Sequence, residues 1–242
     1  MHKFIYIIFL SLLVLSGCSS SSLDNSQARE IMLKSTKNYP DLINFYKEKI
    51  KKQNLDLDKN KLAQVYLDYN DPESALFIVN NIPNHMNNVE SLIIMTNAFF
   101  DLGNNKEALN IAKKANVLEP NRGDIENLIA IIYASNGDIK NAREFFNMAR
   151  LHLYDDIKIK NNLAVLDILD EDYTMASNKL IELYAKNRND NEIYSNLVLA
   201  LSKSNNIELL EKILKPKFNN DEINHKYDLL KTANISSSLL SK

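Results

Sequence analysis

The feature that most constrains the fold of this chain is an internal period of 34 residues. Ala108, Ala142 and Ala176 follow one another at this interval, and Gly103 and Gly137 are separated by the same distance. A period of this length is typical of stacked structural units, each of which leaves apolar surface that only its neighbour can cover. The period therefore predicts a solenoid built from similar units.

Composition agrees with a helical solenoid and excludes several other classes. The 242 residues include only 4 Gly and 5 Pro, too few for the many tight turns of a β-sandwich or β-barrel. The glycines stand apart from one another, so neither GxGxxG nor a P-loop is present. Lys and Arg number 29 against 31 Asp and Glu, a net charge of −2 that predicts no nucleic-acid partner. The single Cys excludes an intrachain disulfide and a Cys-based zinc site.

The repeated residues resemble the tetratricopeptide repeat, a helix–turn–helix unit with small residues where its two helices cross. The units are assigned to 56–88, 89–122, 123–156, 157–190 and 191–224, with a sixth, degenerate one at 24–55. The residues at the packing and turn positions are Ala63, Tyr66, Ala75, Phe99, Gly103, Ala108, Ala115, Pro120, Ala130, Tyr133, Gly137, Ala142, Ala149, Ala164 and Ala176. The resemblance implies an all-α fold, a right-handed superhelix of about 5–6 units.

Local signals set the limits of this domain. Asp138 and the pair Asp71-Pro72 predict the starts of second helices, as a capping residue and a proline in the first turn. Asp167 departs from the pattern, because an aromatic residue is expected there. Residues 222–232 predict a capping helix. We expect a folded domain over 26–234 and a frayed tail over 235–242.

The N-terminus has the pattern of a secretory leader. Lys3 precedes an apolar run over 4–15, which as a helix would be roughly 18 Å long, too short to span a bilayer. Leu15, Ser16, Gly17 and Cys18 follow and resemble a bacterial lipobox. The resemblance implies that residues 1–17 are removed and that Cys18 carries a diacylglycerol and an N-acyl chain. The alternative is an ordinary secretory leader in which the cysteine is accidental.

Lipidation would determine where the protein resides. Several acyl chains hold a protein stably in a membrane, whereas one chain holds it weakly. The residue after the cysteine is Ser19 and not an Asp that would favour the inner membrane. We therefore expect a lipid anchor in the outer membrane of a Gram-negative bacterium, with the domain facing the periplasm. Residues 18–25 would contain the lipidated cysteine and a Ser-rich tether.

The sequence offers little catalytic chemistry. His85, His152 and His225 lie in different units and do not have the spacing of metal ligands, so we interpret them as isolated surface residues. The acidic pairs at 155–156 and 171–172 fall at turns, where capping explains them more simply than catalysis does. We expect no enzyme activity, no metal, no cofactor beyond the lipid and no small-molecule substrate.

A superhelix of this kind offers a concave groove lined by its first helices. The predicted groove residues are Asn60, Asn97, Asn127, Lys158 and Asn161, with further lining from Gln64, Phe100, Asp124, Ile131, Val165, Ser195 and Leu199. An Asn amide can both donate to and accept from a peptide backbone. The groove would thus bind a protein or peptide partner. The alternative is that Asn recurs there only because it is abundant in this chain.

Lipobox and repeats together resemble the TadD family of tight-adherence (Tad/Flp) pilus assembly lipoproteins. The similar stretches are DLINFYK (41–47), KLAQVY (61–66), PESALF (72–77), NNLAV (161–165) and SNLVLAL (195–201). The resemblance implies a pilotin-like scaffold that binds a secretin or another pilus-assembly component. The alternatives are a type IV pilus pilotin and an adaptor of outer-membrane barrel assembly or peptidoglycan machinery.

Overall fold

The computed structural model describes residues 25–240, and within this range the chain is helical with no strand. The leader, the lipobox Leu15, Ser16 and Gly17, and Cys18 lie outside the described residues. The helices are α1 (Asn25–Ser35), α2 (Tyr39–Gln53), α3 (Asp56–Asp68), α4 (Pro72–Asn80), α5 (Val89–Asp101), α6 (Asn105–Leu118), α7 (Gly123–Ser135), α8 (Ile139–Leu151), α9 (Asp156–Leu169), α10 (Tyr173–Lys186), α11 (Asn191–Lys203), α12 (Ile207–Leu214) and α13 (Asn220–Thr232). Six helical hairpins followed by a single helix confirm the predicted all-α tetratricopeptide architecture.

The helices begin and end where the sequence indicates. Asp71 and Asp138 accept backbone hydrogen bonds from the third residue after each of them, and Pro72 is the first residue of α4. Helix α6 ends two residues before Pro120, whose ring disfavours helical backbone in the residue before it. The boundaries of α3 to α12 thus agree with the predicted units.

The same turn position has left-handed backbone in five successive hairpins. Its occupants are Asn70, Gly103, Gly137, Glu171 and Asn205, with φ between 57° and 78°. Gly and Asn adopt this conformation readily, whereas a residue such as Glu does so at a cost. At Glu171 the backbone therefore keeps the left-handed conformation of the repeat, although the residue type departs from the pattern.

Small residues allow the helices of each hairpin to approach closely. The alanines predicted at packing positions, Ala63, Ala75, Ala108, Ala115, Ala130, Ala142, Ala149, Ala164 and Ala176, are all buried. The aromatic side chains of Tyr66, Phe99 and Tyr133 are half-buried against the same core. One continuous series of clusters therefore runs from α1 to α13, and each hairpin shares it with the next.

Asp167 stands where the repeat pattern places an aromatic residue, and its carboxylate is buried. Arg143 Nη2 donates to one carboxylate oxygen at 2.9 Å and Lys179 Nζ to the other at 2.6 Å. Arg143 lies on α8 and Lys179 on α10. Asp167, Arg143 and Lys179, which we call the ion triad, thus join three helices from two successive units. The charged group of Asp167 takes the position that an aromatic side chain has in other units.

The C-terminal end of the chain differs from the sequence prediction. Helix α13 begins at Asn220, and a capping box formed by Asn219 and Glu222 fixes its start. Beyond it, the expected frayed tail instead packs against the domain as far as residue 240. A short 3-10 helix at Ser237–Leu239 contacts α7 and α9, and Leu240 is buried. Residues 235–240 pack because their aliphatic side chains find apolar surface far away in the sequence.

Across residues 25–240, no helix combines the length and the apolar character that crossing a membrane requires.

Candidate protein-interaction face

The first helix of each hairpin lies in the inner layer of the stack. Helices α3, α5 and α7 contact one another in series, and α9 contacts α11, although a second helix separates each pair along the chain. The second helices contact the first helices on either side of them. The surface of the inner layer is the concave face, and we describe it in an N-terminal half (α3, α5, α7) and a C-terminal half (α7, α9, α11).

The N-terminal half of the concave face holds an open cleft of about 360 Å³. Its lining residues are Gln64, Leu67, Asp68, Ile93, Asn97, Asp101, Asp124, Asn127, Leu128 and Tyr154. Asn97 and Asn127, two of the predicted groove residues, therefore lie in one cleft, together with the predicted Gln64 and Asp124. Carboxylates and amides make this cleft rich in hydrogen-bond acceptors.

Neighbouring charges hold the rim of the cleft in place. Arg122 Nε donates to Asp124 at 2.9 Å, and its Nη1 contacts Glu90 and Glu119 at 2.8 Å each. Burial raises the pKa of the Tyr154 hydroxyl, and nearby carboxylates, including that of Asp124, raise it further. The phenol therefore stays protonated and presents a hydrogen-bond donor beside the acceptors.

Three of the predicted groove amides are buried between successive units. Asn60, Asn127 and Asn161 are 7%, 1% and 2% exposed. Asn127 Oδ1 accepts from Asn162 on the next first helix at 3.3 Å, and Asn161 Oδ1 accepts from Asn196 at 3.1 Å. In this structure the oxygens of these three amides serve contacts between units, and their binding of a peptide stays a prediction.

Asn60, at the N-terminal end, is also buried in a contact between successive units. Its Oδ1 accepts from the buried Ser91 hydroxyl of α5 at 2.9 Å. These bonds form a polar ladder along the first helices, which we call the amide ladder (Asn60–Ser91, Asn127–Asn162 and Asn161–Asn196). A sequence pattern within one unit does not reveal it, because the partner comes from the following unit.

The C-terminal half of the concave face has aliphatic side chains that residues 239 and 240 cover. Ile131 of α7 and Val165 of α9 belong to the same packed cluster as Leu240, and Leu239 packs against it. Leu199 of α11 belongs to the adjoining cluster, against which Leu239 also packs. The predicted lining residues Ile131, Val165 and Leu199 are thus on this face as expected, and they are occupied.

The remaining polar residues singled out by sequence lie apart from one another. Lys158, in the first turn of α9, is half-buried, and Asp155 and Asp172 cap helices α9 and α10 as predicted. His152 is not the isolated surface residue expected, since its Nδ1 lies 2.7 Å from Oε2 of the buried Glu126. No group of three or more potential metal-ligating side chains was found among residues 25–240.

Solved structures similar to this chain are tetratricopeptide-repeat proteins. TTC0263, a thermophilic repeat protein of Thermus thermophilus, superposes with a TM-score of 0.64 at 18% identity, over 73% of this chain and 97% of that one. A tetratricopeptide repeat protein from Parabacteroides merdae gives a TM-score of 0.57 at 12% identity, over 85% and 97%. YrrB, described as a repeat protein with an unusual peptide-binding site, gives 0.54 at 13% identity, over 76% and 98%. At these identities the likeness establishes the fold.

No protein-family model matches the chain, and no curated protein matches it.

Proposed function

We propose that this chain is a non-catalytic scaffold that binds a protein partner through the concave face of its repeats. The observation that carries the proposal is the inner layer of first helices, which has an open cleft of about 360 Å³ in one half and, in the other, aliphatic side chains covered by residues 239–240. Acceptors for backbone N–H groups next to apolar surface are what a peptide segment requires. The solved repeat structures support an interaction role of this general kind.

We further propose that the scaffold works at the outer membrane, anchored by acyl chains on Cys18. The lipobox at 15–18 and Ser19 support this placement. The resemblance to tight-adherence pilus lipoproteins supports a partner from that machinery, namely a secretin or another pilus-assembly component. In this role the repeats would hold the partner at the membrane while it assembles.

Crosslinking the native protein in isolated outer membranes, followed by mass spectrometry, tests the choice of partner. Capture of a pilus secretin or another tight-adherence component is the expected result. Capture of the barrel-folding or cell-wall machinery would overturn the pilus assignment and keep the scaffold. Capture of a type IV pilus secretin would instead assign the protein to type IV pilus assembly.

Substitution of Cys18 tests the anchor separately. Cys18→Ser removes the only thiol of the chain, so we expect an unlipidated, mislocalised precursor and loss of pilus-dependent surface adherence. Ser19→Ala, which keeps the thiol, should leave both localisation and adherence unchanged. Full adherence by the unlipidated Cys18→Ser protein would show that lipidation is not required.

A further inference from the structure

The last described residues of the chain occupy the concave face instead of leaving the domain. The segment 233–240, which we call the tail, follows the capping helix α13 and returns to the inner layer at α7 and α9. Its aliphatic residues Ile235, Leu239 and Leu240 pack into the core clusters of α7 to α11, while Asn234, Ser236 and Ser238 are exposed. The tail therefore has the pattern of a bound amphipathic segment.

A polar contact with the inner layer holds the start of the tail. Lys203 Nζ of α11 donates to the carbonyl oxygen of Ala233 at 2.6 Å, at the point where the tail leaves α13. Past this bond, the polar contacts described for the tail, such as that between the Ser236 and Ser238 hydroxyls, lie within the segment itself. Aliphatic contact by Ile235, Leu239 and Leu240 also holds the tail on the inner layer.

The covered surface continues into the open cleft of the same face. Both include α7: Asn127 and Leu128 of this helix line the cleft, whereas Ile131 and Ala134, one and two turns later, pack in the cluster that contains Leu240. A segment that lies along the inner layer would meet amides and carboxylates first and aliphatic side chains next. The described contacts of Leu239 and Leu240 are with the aliphatic part.

We propose that the tail is an intramolecular ligand of the concave face, and that the partner binds by a short segment with aliphatic side chains that replaces it. The inference rests on the proposed scaffold function and specifies its site. The tail itself defines the chemistry of the ligand, which is an aliphatic residue followed four and five positions later by two more, with small polar residues between them. Displacement makes access to the groove conditional on release of the tail.

Competition by the tail predicts a measurable loss of affinity. A tethered segment acts at an effective concentration on the order of millimolar. If the free segment binds with a dissociation constant of about 0.1 mM, the attached tail weakens any competitor about tenfold. Release of the tail should therefore strengthen binding of an added ligand by about this factor.

A peptide of residues 233–242 (ANISSSLLSK), labelled at its N-terminus, is the probe, and fluorescence anisotropy with the full-length protein is the measurement. Leu239→Asp with Leu240→Asp, made in the protein, should release the tail and allow the peptide to bind about tenfold more tightly than it binds wild type. Asn234→Asp with Ser238→Asp adds the same charge at exposed tail positions and should behave as wild type. A peptide carrying the two Leu→Asp changes should not bind.

Two further measurements guard against a folding defect. Circular dichroism must show that the released variant keeps its helix content and a cooperative melting transition. Lys203→Met, which removes the bond to Ala233 without placing a charge in the groove, should strengthen peptide binding in the same direction and by a smaller factor. The inference is overturned if a folded released variant does not bind the peptide, or if wild type binds it equally well.

These outcomes are distinct from failure of the proposed function. Peptide binding by the released variant, with no protein captured in native membranes, would leave the groove inference standing and remove the scaffold role. Capture of a partner by wild type, with no peptide binding by the folded released variant, would keep the scaffold role and overturn the groove inference.

Discussion

At the scale of single residues, Glu171 has a backbone conformation that its side chain does not favour. Its φ is 62°, and the equivalent turn residues in the other four hairpins between α3 and α12 are Asn70, Gly103, Gly137 and Asn205. Left-handed backbone costs an ordinary L-residue roughly 1–2 kcal/mol, and Asn tolerates it better. Glu171→Asn should therefore raise the free energy of unfolding by about 0.5–1 kcal/mol in urea denaturation.

Glu171→Gln is the matched control, because it removes the charge and keeps the unfavourable conformation. Its unfolding free energy should equal that of wild type. A gain with Gln as large as the gain with Asn would assign the effect to charge and contradict the conformational account.

The ion triad at Asp167 is a second residue-scale departure that the structure explains. Arg143 and Lys179 contact different oxygens of one buried carboxylate, so either cation alone still neutralises it. Each single substitution to Met should cost little, whereas the double substitution leaves a buried charge unpaired and should cost about 3–5 kcal/mol. A double-mutant cycle by chemical denaturation measures this non-additivity. Additive effects would mean that solvent already reaches Asp167.

At the scale of helices, α1 is attached to its neighbours through Glu30. Tyr46 of α2 donates to Glu30 Oε1 at 2.7 Å, and Lys34 and Lys61 contact the same oxygen at 2.9 and 3.4 Å. Partial burial by itself raises the pKa of Glu30, but the hydrogen bonds from Lys34 and Tyr46 and the two positive charges outweigh it. The pKa falls from its ordinary value of 4.5 to about 2.

This attachment predicts an acid-sensitive α1. Because the folded-state pKa is depressed, the stabilisation is complete above about pH 4.5 and is lost as the pH falls toward 2. Glu30→Gln should lower stability at pH 7 and flatten its decline between pH 5 and pH 3, relative to wild type. Glu48→Gln, an exposed change on α2, should reproduce the wild-type profile. A Glu30→Gln profile parallel to wild type would contradict this role.

The sequence predicted the hairpins because their determinants are local. Asp71 and Asp138 cap helices three residues away, and Gly103 and Gly137 turn the chain within one hairpin. The amide ladder and the tail were missed because their partners are distant. Asn127 is buried by Asn162 of the next unit, and Leu240 packs with Ile131 from a helix more than one hundred positions earlier.

At the scale of the whole molecule, lipidation of Cys18 would hold the repeats near a membrane. Seven residue steps separate Cys18 from the first residue of α1, a span of at most about 25 Å. If Cys18 is lipidated, the repeats stay close to the membrane surface, and the partner must present its segment there. This restriction is what a factor that places an envelope component in the membrane requires.

The central claim is that a partner binds the concave face, and site-specific photocrosslinking in native membranes tests it most directly. A photoreactive residue at Asn97 lies in the open cleft, whereas the same residue at Asn147 is exposed on α8, in the outer layer of second helices. The account predicts a discrete protein adduct from Asn97 and none from Asn147. An adduct from Asn147 with none from Asn97 would place the partner on the outer layer and contradict it.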